Sequence, residues 1–202
     1  MSVLVSRRQV IASLGIAGLG LLAGCDSGGK PLYKYGKDLS DQILGRTFKL
    51  MGTDGYETSL SSFRGQMPMV IFGFTQSPSI IPTALARAAE IKKMMGKDGE
   101  RFLVVFVTLD PERDTPAILD AYVKSFDPSF VALYGTLKET AATAKEFNVI
   151  YEKITRGSTY TLSHSTTSYV YDYSGTLRLG LSESLSAREC AEDLLNLMDI
   201  CE

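Results

Sequence analysis

The sequence passes from strand to helix within Phe72-Gly73-Phe74-Thr75-Gln76-Ser77-Pro78-Ser79-Ile80-Ile81-Pro82-Thr83. The strand that ends here is the continuous apolar run 67–74, which is typical of a central strand buried on both faces. Pro82 marks the start of the helix, because proline is tolerated in the first helical turn. Apolar residues at helical spacing then predict one buried helix face that ends near Gly96: Leu85, Ala88, Ile91 and Met95.

The segments around this turn alternate between strand and helix patterns. Residues 48–60 predict a β-hairpin, because Asp54-Gly55 supplies the positive φ that a tight turn needs. A second central strand is expected at 101–109, and Asp114-Thr115-Pro116 is expected to cap a helix that runs to about residue 126. The remaining predicted elements are strands at 130–133, 149–154, 167–172 and 176–181, a helix at 137–147, and a terminal helix opened by the capping box Ser186-Ala187-Arg188-Glu189. This order predicts an α/β, thioredoxin-like fold: a central mixed β-sheet flanked by helices, with an N-terminal β-hairpin.

Residues 1–24 predict a bacterial lipoprotein signal peptide. Arg7 and Arg8 form its positive region and resemble a twin-arginine motif, and the apolar stretch 10–23 is too short to span a bilayer comfortably. Leu22-Ala23-Gly24-Cys25 matches the lipobox, in which the cysteine is acylated and becomes the mature N-terminus. We therefore expect Cys25 to anchor the chain to a membrane of the cell envelope, with the domain on the extracytoplasmic side. The sequence leaves open the export route and the choice between inner and outer membrane.

Charge and length describe the part of the chain that follows this signal. The 202 residues include 21 basic and 23 acidic ones, and residues 1–24 contain two of the basic residues and none of the acidic ones. No basic run remains, so nucleic acid is not an expected partner. Gly28-Gly29 and Pro31 predict a tether over residues 25–38. Residues 39–202 are then expected to form one domain.

Two cysteines, Cys190 and Cys201, remain if Cys25 carries lipid. Both fall on one apolar stripe of the terminal helix, which predicts two core cysteines. A disulfide requires Cα atoms within about 7 Å, whereas eleven residues of continuous helix separate them by about 16 Å. Bridging them therefore requires the helix to end well before Cys201.

Several motifs together resemble the Sco/SenC family of membrane-anchored, thioredoxin-fold proteins associated with copper delivery to cytochrome c oxidase. The matching residues span 39–202 and are Phe72-Gly73-Phe74-Thr75, Pro78, Pro82-Thr83, Leu109-Asp110-Pro111-Glu112-Arg113-Asp114-Thr115-Pro116, Phe126-Asp127-Pro128 and His164-Ser165. The run from Leu109 to Pro116 is the most specific of them.

The resemblance implies a copper site made of two cysteines spaced C-x-x-x-C in the strand-to-helix turn and one distant histidine. The two cysteine positions correspond to Ser77 and Ile81, and the histidine corresponds to His164, the single histidine of the chain. Cu(I) is soft and prefers thiolate ligands, which neither serine nor isoleucine provides. We therefore expect a degenerate site that binds no cofactor tightly, with His164 either as a core histidine hydrogen-bonded near the turn or as a residual ligand position. The same absence removes thiol exchange and peroxide chemistry from this turn, so no enzymatic activity is expected.

Other candidate sites have simpler interpretations. Asp110, Glu112 and Asp114 could coordinate a hard cation, but Arg113 among them favours a capping loop. Ser77, His164 and an acidic residue could suggest the catalytic triad of a hydrolase. No nucleophile-elbow glycines flank Ser77, which argues against this interpretation. Two sets of residues are predicted to pack in the interior: Met67, Met69, Met94 and Met95 in the core, and Tyr169, Tyr171 and Tyr173 on one face of a strand.

Three functions are compatible with these patterns. The first is a lipid-anchored accessory in copper handling or oxidase assembly, which docks a cytochrome oxidase subunit or another copper protein. The second is a metal-independent interaction module of the envelope, since a fold alone does not fix a function. The third is a copper carrier whose site is completed by a partner, with His164 as one of the ligands.

Overall fold

The structure is a computed structural model that describes residues 33–201. Its strands are β1 (Lys37–Asp38), β2 (Leu50–Gly52), β3 (Glu57–Thr58), β4 (Met67–Gly73), β5 (Phe102–Thr108), β6 (Val131–Tyr134), β7 (Tyr151–Arg156), β8 (Thr159–His164), β9 (Ser168–Tyr171) and β10 (Leu177–Leu181). Its helices are α1 (Ile80–Met94), α2 (Pro116–Lys124), α3 (Leu137–Glu146) and α4 (Ala187–Cys201), with short 3-10 helices at Leu60–Phe63 and Asp98–Glu100. No helix within this range is long and apolar enough to cross a membrane.

Eight strands form one mixed sheet in the order β1-β10-β9-β4-β5-β6-β2-β3. Strands β4, β5 and β6 are parallel to one another, and the remaining pairings are antiparallel. Every residue of β4 and β5 is buried, as expected of strands covered on both faces. The mixed sheet with flanking helices is therefore confirmed, and so is the hairpin β2–β3 around Gly55, whose φ is 87°.

The sheet separates two apolar cores, because successive side chains of a strand point to opposite faces. On β4, Met67, Met69 and Ile71 pack with α1, α2 and α4, whereas Val70 and Phe72 pack with α3 and the N-terminal segments. The strand-to-helix turn that follows β4 therefore starts between two layers that are both filled by side chains.

Several local expectations were wrong. Helix α1 begins at Ile80, two residues before Pro82, and a strand that the sequence analysis omitted, β8, pairs with β7 in a separate two-stranded sheet. Met94 is 47 % exposed and does not belong to the core. Tyr169 and Tyr171 share a face, but Tyr173 follows the end of β9 and packs against the opposite core.

The terminal helix α4 determines whether Cys190 and Cys201 can form a disulfide. It runs without interruption from Ala187 to Cys201, and the Ser186–Glu189 capping box is present. Both cysteines are free; Cys190 is buried and Cys201 is half-buried. Because the helix does not end early, the geometry that a disulfide requires is absent.

The N-terminal end of the described chain is tied to α4 by a single carboxylate. The backbone amides of Lys34, Tyr35 and Gly36 donate to the side chain of Asp193 at 2.7–2.9 Å. We call these three hydrogen bonds to Asp193 the clasp. Asp193 is only 2 % exposed, and Tyr33, the residue before the clasp, is 4 % exposed. Residues 33–38, which belong to the predicted tether 25–38, therefore pack on the domain, whereas Cys25 lies outside the described residues.

Candidate functional site

The turn between β4 and α1 is organised by the hydroxyl of Ser77. The Ser77 amide donates to the carbonyl of Phe74 at 3.2 Å, and the Ser77 Oγ accepts from the amide of Ile81 at 3.4 Å. Ser79, the residue immediately before α1, makes no capping hydrogen bond with its side chain. Ser77 therefore satisfies one of the amides that a helix N-terminus leaves without a partner.

Ile81 is a core residue that happens to lie at the site. It is 2 % exposed, and its Cδ1 lies 2.2 Å from the point that a Cβ on Gly73 would occupy. The same virtual Cβ would lie 3.2 Å from the ring of Phe106. The side chain at position 81 thus fills the space between the end of β4 and the start of α1, and it offers no donor atom to a ligand.

His164 ends β8 and reaches the turn through an aromatic contact. Its ring packs edge-on against Phe74, with centroids 5.9 Å apart and planes at 85°. Its Nδ1 lies 2.9 Å from the carbonyl oxygen of Ser165, and because a carbonyl only accepts, Nδ1 carries a proton. In the neutral ring, Nε2 then holds a lone pair, and this buried atom has no hydrogen-bond partner among residues 33–201.

The three predicted site residues are therefore brought to the same end of the sheet, but only two of them are bonded to each other. Ser77 and Ile81 share a hydrogen bond, whereas His164 contacts Phe74, which precedes Ser77 by three residues. Among the described residues, no hydrogen bond joins His164 to Ser77.

Arg113 holds the β7–β8 hairpin against this turn, a role that the sequence analysis missed. Its guanidinium donates to Asp110 at 2.5 Å, to Gln76 Oε1 at 3.2 Å and to the carbonyl of Tyr160 at 2.9 Å. It also stacks on the ring of Tyr160 at 3.7 Å, and the Tyr160 hydroxyl donates to Asp110 at 2.7 Å. Burial first, and then this bond to the Asp110 carboxylate, raise the pKa of Tyr160. Arg113 thereby joins the loop before α2, the turn and the strand that carries His164.

The three acidic residues of that loop do not form a cation site. The side chain of Asp114 is buried and accepts from the Thr75 amide at 3.1 Å, from Thr75 Oγ1 at 2.5 Å and from Thr108 Oγ1 at 2.6 Å. Asp110 pairs with Arg113, and Glu112 pairs with Lys153. Among residues 33–201, no three such side chains converge as metal ligands do.

The cap of helix α2 differs in one detail from the prediction, because Asp114 is not the capping residue. The N-cap of α2 is Thr115, whose side chain accepts from the amide of Ile118, and Pro116 is the first helical residue as expected. Asp114 instead bonds the strand-to-helix turn to the end of β5. The carboxylate that looked like a helix cap therefore fixes the position of the candidate site.

Comparison with known proteins identifies the family. Residues 36–199 match the family model described as SCO1/SenC. The chain belongs to the SCO1/SenC family. An SCO2-like protein of Rickettsia prowazekii is 30 % identical over 194 residues, which cover 93 % of this chain and 95 % of the relative.

Solved structures of Sco proteins agree in fold. Copper-bound ScoI of Bradyrhizobium japonicum matches with a TM-score of 0.69 and 32 % identity, over 76 % of this chain and 98 % of that one. Copper-bound yeast Sco1 matches with a TM-score of 0.71 and 26 % identity, over 78 % and 90 % of the two chains. The resemblance to the Sco/SenC family and the thioredoxin-like α/β fold are both confirmed.

The residues at the turn of this SCO1/SenC protein do not fit a resident copper ion. Ser77 is 5 % exposed and its oxygen already accepts a hydrogen bond, and Ile81 has no donor atom. His164 Nε2 has a lone pair without a partner among residues 33–201, but one imidazole alone does not make a copper site.

Among residues 33–201, the two free thiols do not supply thiolate ligands. Cys190 is fully buried in the core of α4, and burial raises the pKa of its thiol to about 11. Burial also raises the pKa of Cys201. Both thiols are therefore mostly protonated near neutral pH, whereas the metal ligand is the thiolate.

Proposed function

We propose that this SCO1/SenC protein is a lipid-anchored, non-catalytic accessory in copper handling or cytochrome c oxidase assembly. In this proposal it docks a partner, an oxidase subunit or another copper protein, and does not carry the metal itself. Family membership supports the link to copper, since the solved Bradyrhizobium and yeast relatives are described with copper bound. The lipobox Leu22–Cys25 supports an anchor in the bacterial cell envelope, with the domain on the extracytoplasmic side.

One observation carries the proposal: the side chain at position 81 is built into the core. Ile81 is buried against Gly73 at the position that corresponds to the second cysteine of the family motif. A surface residue could be exchanged for a ligand with little consequence, but a side chain on which strand and helix pack has a structural role. We infer that this turn has been converted from a metal-binding element into a packed one.

A Cu(I) titration of the full chain in a non-ionic detergent tests the proposal. A ligand present at one hundred times its Kd stabilises the native state by about 2.7 kcal/mol, which raises the Tm of a domain of this size by roughly 5–10 °C. We expect micromolar Cu(I) to shift the Tm by less than about 1 °C. A shift of several degrees would contradict the loss of the site.

The titration needs a control for the free thiols. It is repeated on a variant with Cys25→Ala, Cys190→Ala and Cys201→Ser, since any of these three thiols could bind Cu(I) away from the turn. A copper-dependent shift that disappears in this variant belongs to these thiols. A shift that persists belongs to the turn or to His164.

A second candidate function is favoured by the state of His164. Its Nδ1–H bond to the Ser165 carbonyl orients the ring and leaves the Nε2 lone pair without a partner. Once docking exposes the buried Nε2, this oriented ring suits a single ligand to a copper ion whose other ligands come from a partner protein. In a strain that depends on this protein for oxidase activity, His164→Ala then abolishes that activity, whereas a docking role survives the change. Ser163→Ala, an exposed position on the same strand, is the matched control.

A further inference from the structure

A cavity at the opposite end of the sheet has the composition of an anion site. It has a volume of about 210 Å³ and lies between the 3-10 helix Leu60–Phe63 and the turn that joins β9 to β10. Its lining includes two guanidinium groups, three hydroxyl side chains and one apolar residue: Arg46, Arg64, Ser61, Ser174, Thr176 and Leu60. No carboxylate of residues 33–201 lines it.

The two arginines of this cavity have no partner within the described part of the chain. Neither Arg46 nor Arg64 takes part in an ion pair or a side-chain hydrogen bond there, although the whole chain has a net charge of −2. Each guanidinium offers five N–H donors in a planar fork that matches a phosphate or carboxylate. The cavity therefore holds two guanidinium groups that the fold does not use, whereas its hydroxyls are already bonded: Ser174 Oγ donates to Asp172 at 2.6 Å and lies 3.0 Å from Thr176 Oγ1, and Ser61 Oγ lies 2.8 Å from Ser59 Oγ.

Two acidic residues that bond to the lining of the cavity, or to a residue next to it, are already engaged. Asp172 accepts from the amides of Ser174 and Thr176 at 2.9 Å, and from Arg178 Nε at 2.7 Å. Glu146 accepts from the amide of Thr47 at 2.5 Å and does not line the cavity. Neither carboxylate neutralises Arg46 or Arg64 through an ion pair.

The size of the cavity is compatible with a small hydrated anion. A water molecule occupies about 30 Å³ in the liquid, so 210 Å³ accommodates a tetrahedral oxyanion together with some of its water. Leu60 is 8 % exposed at this cavity and gives it an apolar wall, which strengthens electrostatic attraction by excluding water on one side.

Because two arginines without a partner line one cavity, we propose that Arg46 and Arg64 form a binding site for a phosphate group, either free phosphate or the phosphodiester of an anionic lipid headgroup. The site is independent of the proposed function. Arg64 shortly precedes β4 and the Ser77 turn follows it, so the strand separates the two sites by roughly 20 Å. Loss of one site leaves the other intact.

The test measures the Tm of the full chain in a non-ionic detergent against inorganic phosphate, with chloride holding the ionic strength constant. We expect a saturable rise in Tm for the parent. In the double variant Arg46→Gln, Arg64→Gln, the apparent Kd should weaken at least about tenfold, because two charge-assisted pairs are lost. Arg156→Gln is the matched control, since Arg156 is exposed at the tip of the β7–β8 hairpin. It should behave like the parent.

Two further titrations distinguish the sources of the phosphate. Glycerophosphoglycerol, the soluble headgroup of an anionic lipid, should raise the Tm as phosphate does if the site takes a phosphodiester. Stabilisation by inorganic phosphate alone assigns the site to free phosphate. Glycerophosphocholine, which carries no net charge, is the control for both. The proposal is overturned if neither anion raises the Tm, or if the double variant responds as strongly as the parent.

Discussion

Ile81 and Gly73 pack so closely that the δ-methyl of the isoleucine lies 2.2 Å from where a Cβ on the glycine would stand. Gly73 ends β4 and Ile81 lies in the first turn of α1, so this contact sets how closely the helix approaches the strand. Gly73 and Ile81 therefore depend on each other, because the branched side chain at position 81 fits only where position 73 has no side chain.

Gly73→Ala should destabilise the parent by about 1–3 kcal/mol, because the added methyl group overpacks the contact with Ile81. The backbone of Gly73 is not in the left-handed region, so alanine itself adds no strain there. In an Ile81→Ala background, the same change should cost much less. Urea denaturation of the four proteins gives the coupling energy, and strictly additive effects would contradict the packing described.

Restoring the family motif should create a copper site. In the double variant Ser77→Cys, Ile81→Cys, the change from serine to cysteine is nearly isosteric. The change from isoleucine to cysteine removes volume from the core and should lower the free energy of unfolding by about 2 kcal/mol. We expect stoichiometric Cu(I) binding, measured by competition with a chromophoric chelator, and its loss on the further change His164→Ala.

The restored variant also tests the assignment of the site residues. Its control carries the same pair of changes together with Cys25→Ala, Cys190→Ala and Cys201→Ser, so that the new thiols are the only ones in the chain. If it folds with both new thiols accessible and binds copper no better than the parent, Ser77, Ile81 and His164 do not correspond to the family's ligands, and the proposed degenerate site must be abandoned.

Asp172 should make stability depend on pH in the acidic range. Its burial raises the pKa, but hydrogen bonds from Ser174, Thr176 and Arg178 outweigh burial and lower the pKa overall. The stabilisation is therefore present above the unfolded value of about 3.9 and is lost as the pH falls through the folded value. Asp172→Asn should cost about 2 kcal/mol at pH 7.

Urea denaturation of the parent and of Asp172→Asn between pH 7 and pH 3 tests whether the stabilisation by Asp172 decreases as the pH falls. The difference between parent and Asp172→Asn should begin to shrink below about pH 4, because the unfolded state takes up the proton first, and its charge-dependent part should vanish only below the lower folded pKa. The exposed Asp41→Asn is the control and should change stability by less than about 0.5 kcal/mol. A difference that stays constant over the whole range would show that the charge of Asp172 is not what stabilises the turn.

Replacing Cys25 by alanine tests the anchor. If Cys25 is acylated, Cys25→Ala should prevent lipidation, since the thiol is the acceptor, and metabolic labelling with a fatty acid should no longer mark the chain. Membrane fractions washed with salt and carbonate should retain the parent and lose the variant. Retention of the variant under both washes would refute the lipoprotein assignment.

The fold could be predicted because its signals are local. The apolar runs of β4 and β5, the Asp54-Gly55 turn and the Ser186–Glu189 capping box each depend on neighbouring residues. Strand β8 was missed because four of its six residues are polar and it pairs with β7 outside the main sheet, so no apolar pattern marks it.

The candidate site was harder to predict, because its contacts join distant segments. The sequence gives no reason to bring Tyr160 onto Arg113, 47 residues away, or Asp114 onto Thr75, 39 residues away. Position 81 was expected to be a lost ligand, and that remains a proposal. Its contact with Gly73 depends on how closely strand and helix approach, which a pattern of residue types does not encode.

Asp193→Ala should release the N-terminal segment from α4. Three backbone amides lose their acceptor, which should cost roughly 2–3 kcal/mol and release the backbone of residues 34–38 from the domain. Limited trypsin digestion should then cleave after Lys34 and Lys37 much faster than in the parent. The exposed Asp199→Ala, on the same helix, is the control. Equal cleavage rates would mean that the clasp does not protect the segment.

The same clasp has a consequence for where this protein can work. With Cys25 as the proposed anchor, only eight Cα–Cα steps separate the lipid from Tyr33, a span of at most about 29 Å. A globular domain of the size of residues 33–201 is roughly 40 Å across, so the linker between the lipid and the domain is shorter than the diameter of the domain. No part of the folded domain could then rise more than about 70 Å above the bilayer, and its centre would stay within about 50 Å. A partner would have to be embedded in that membrane or meet the protein inside this thin layer.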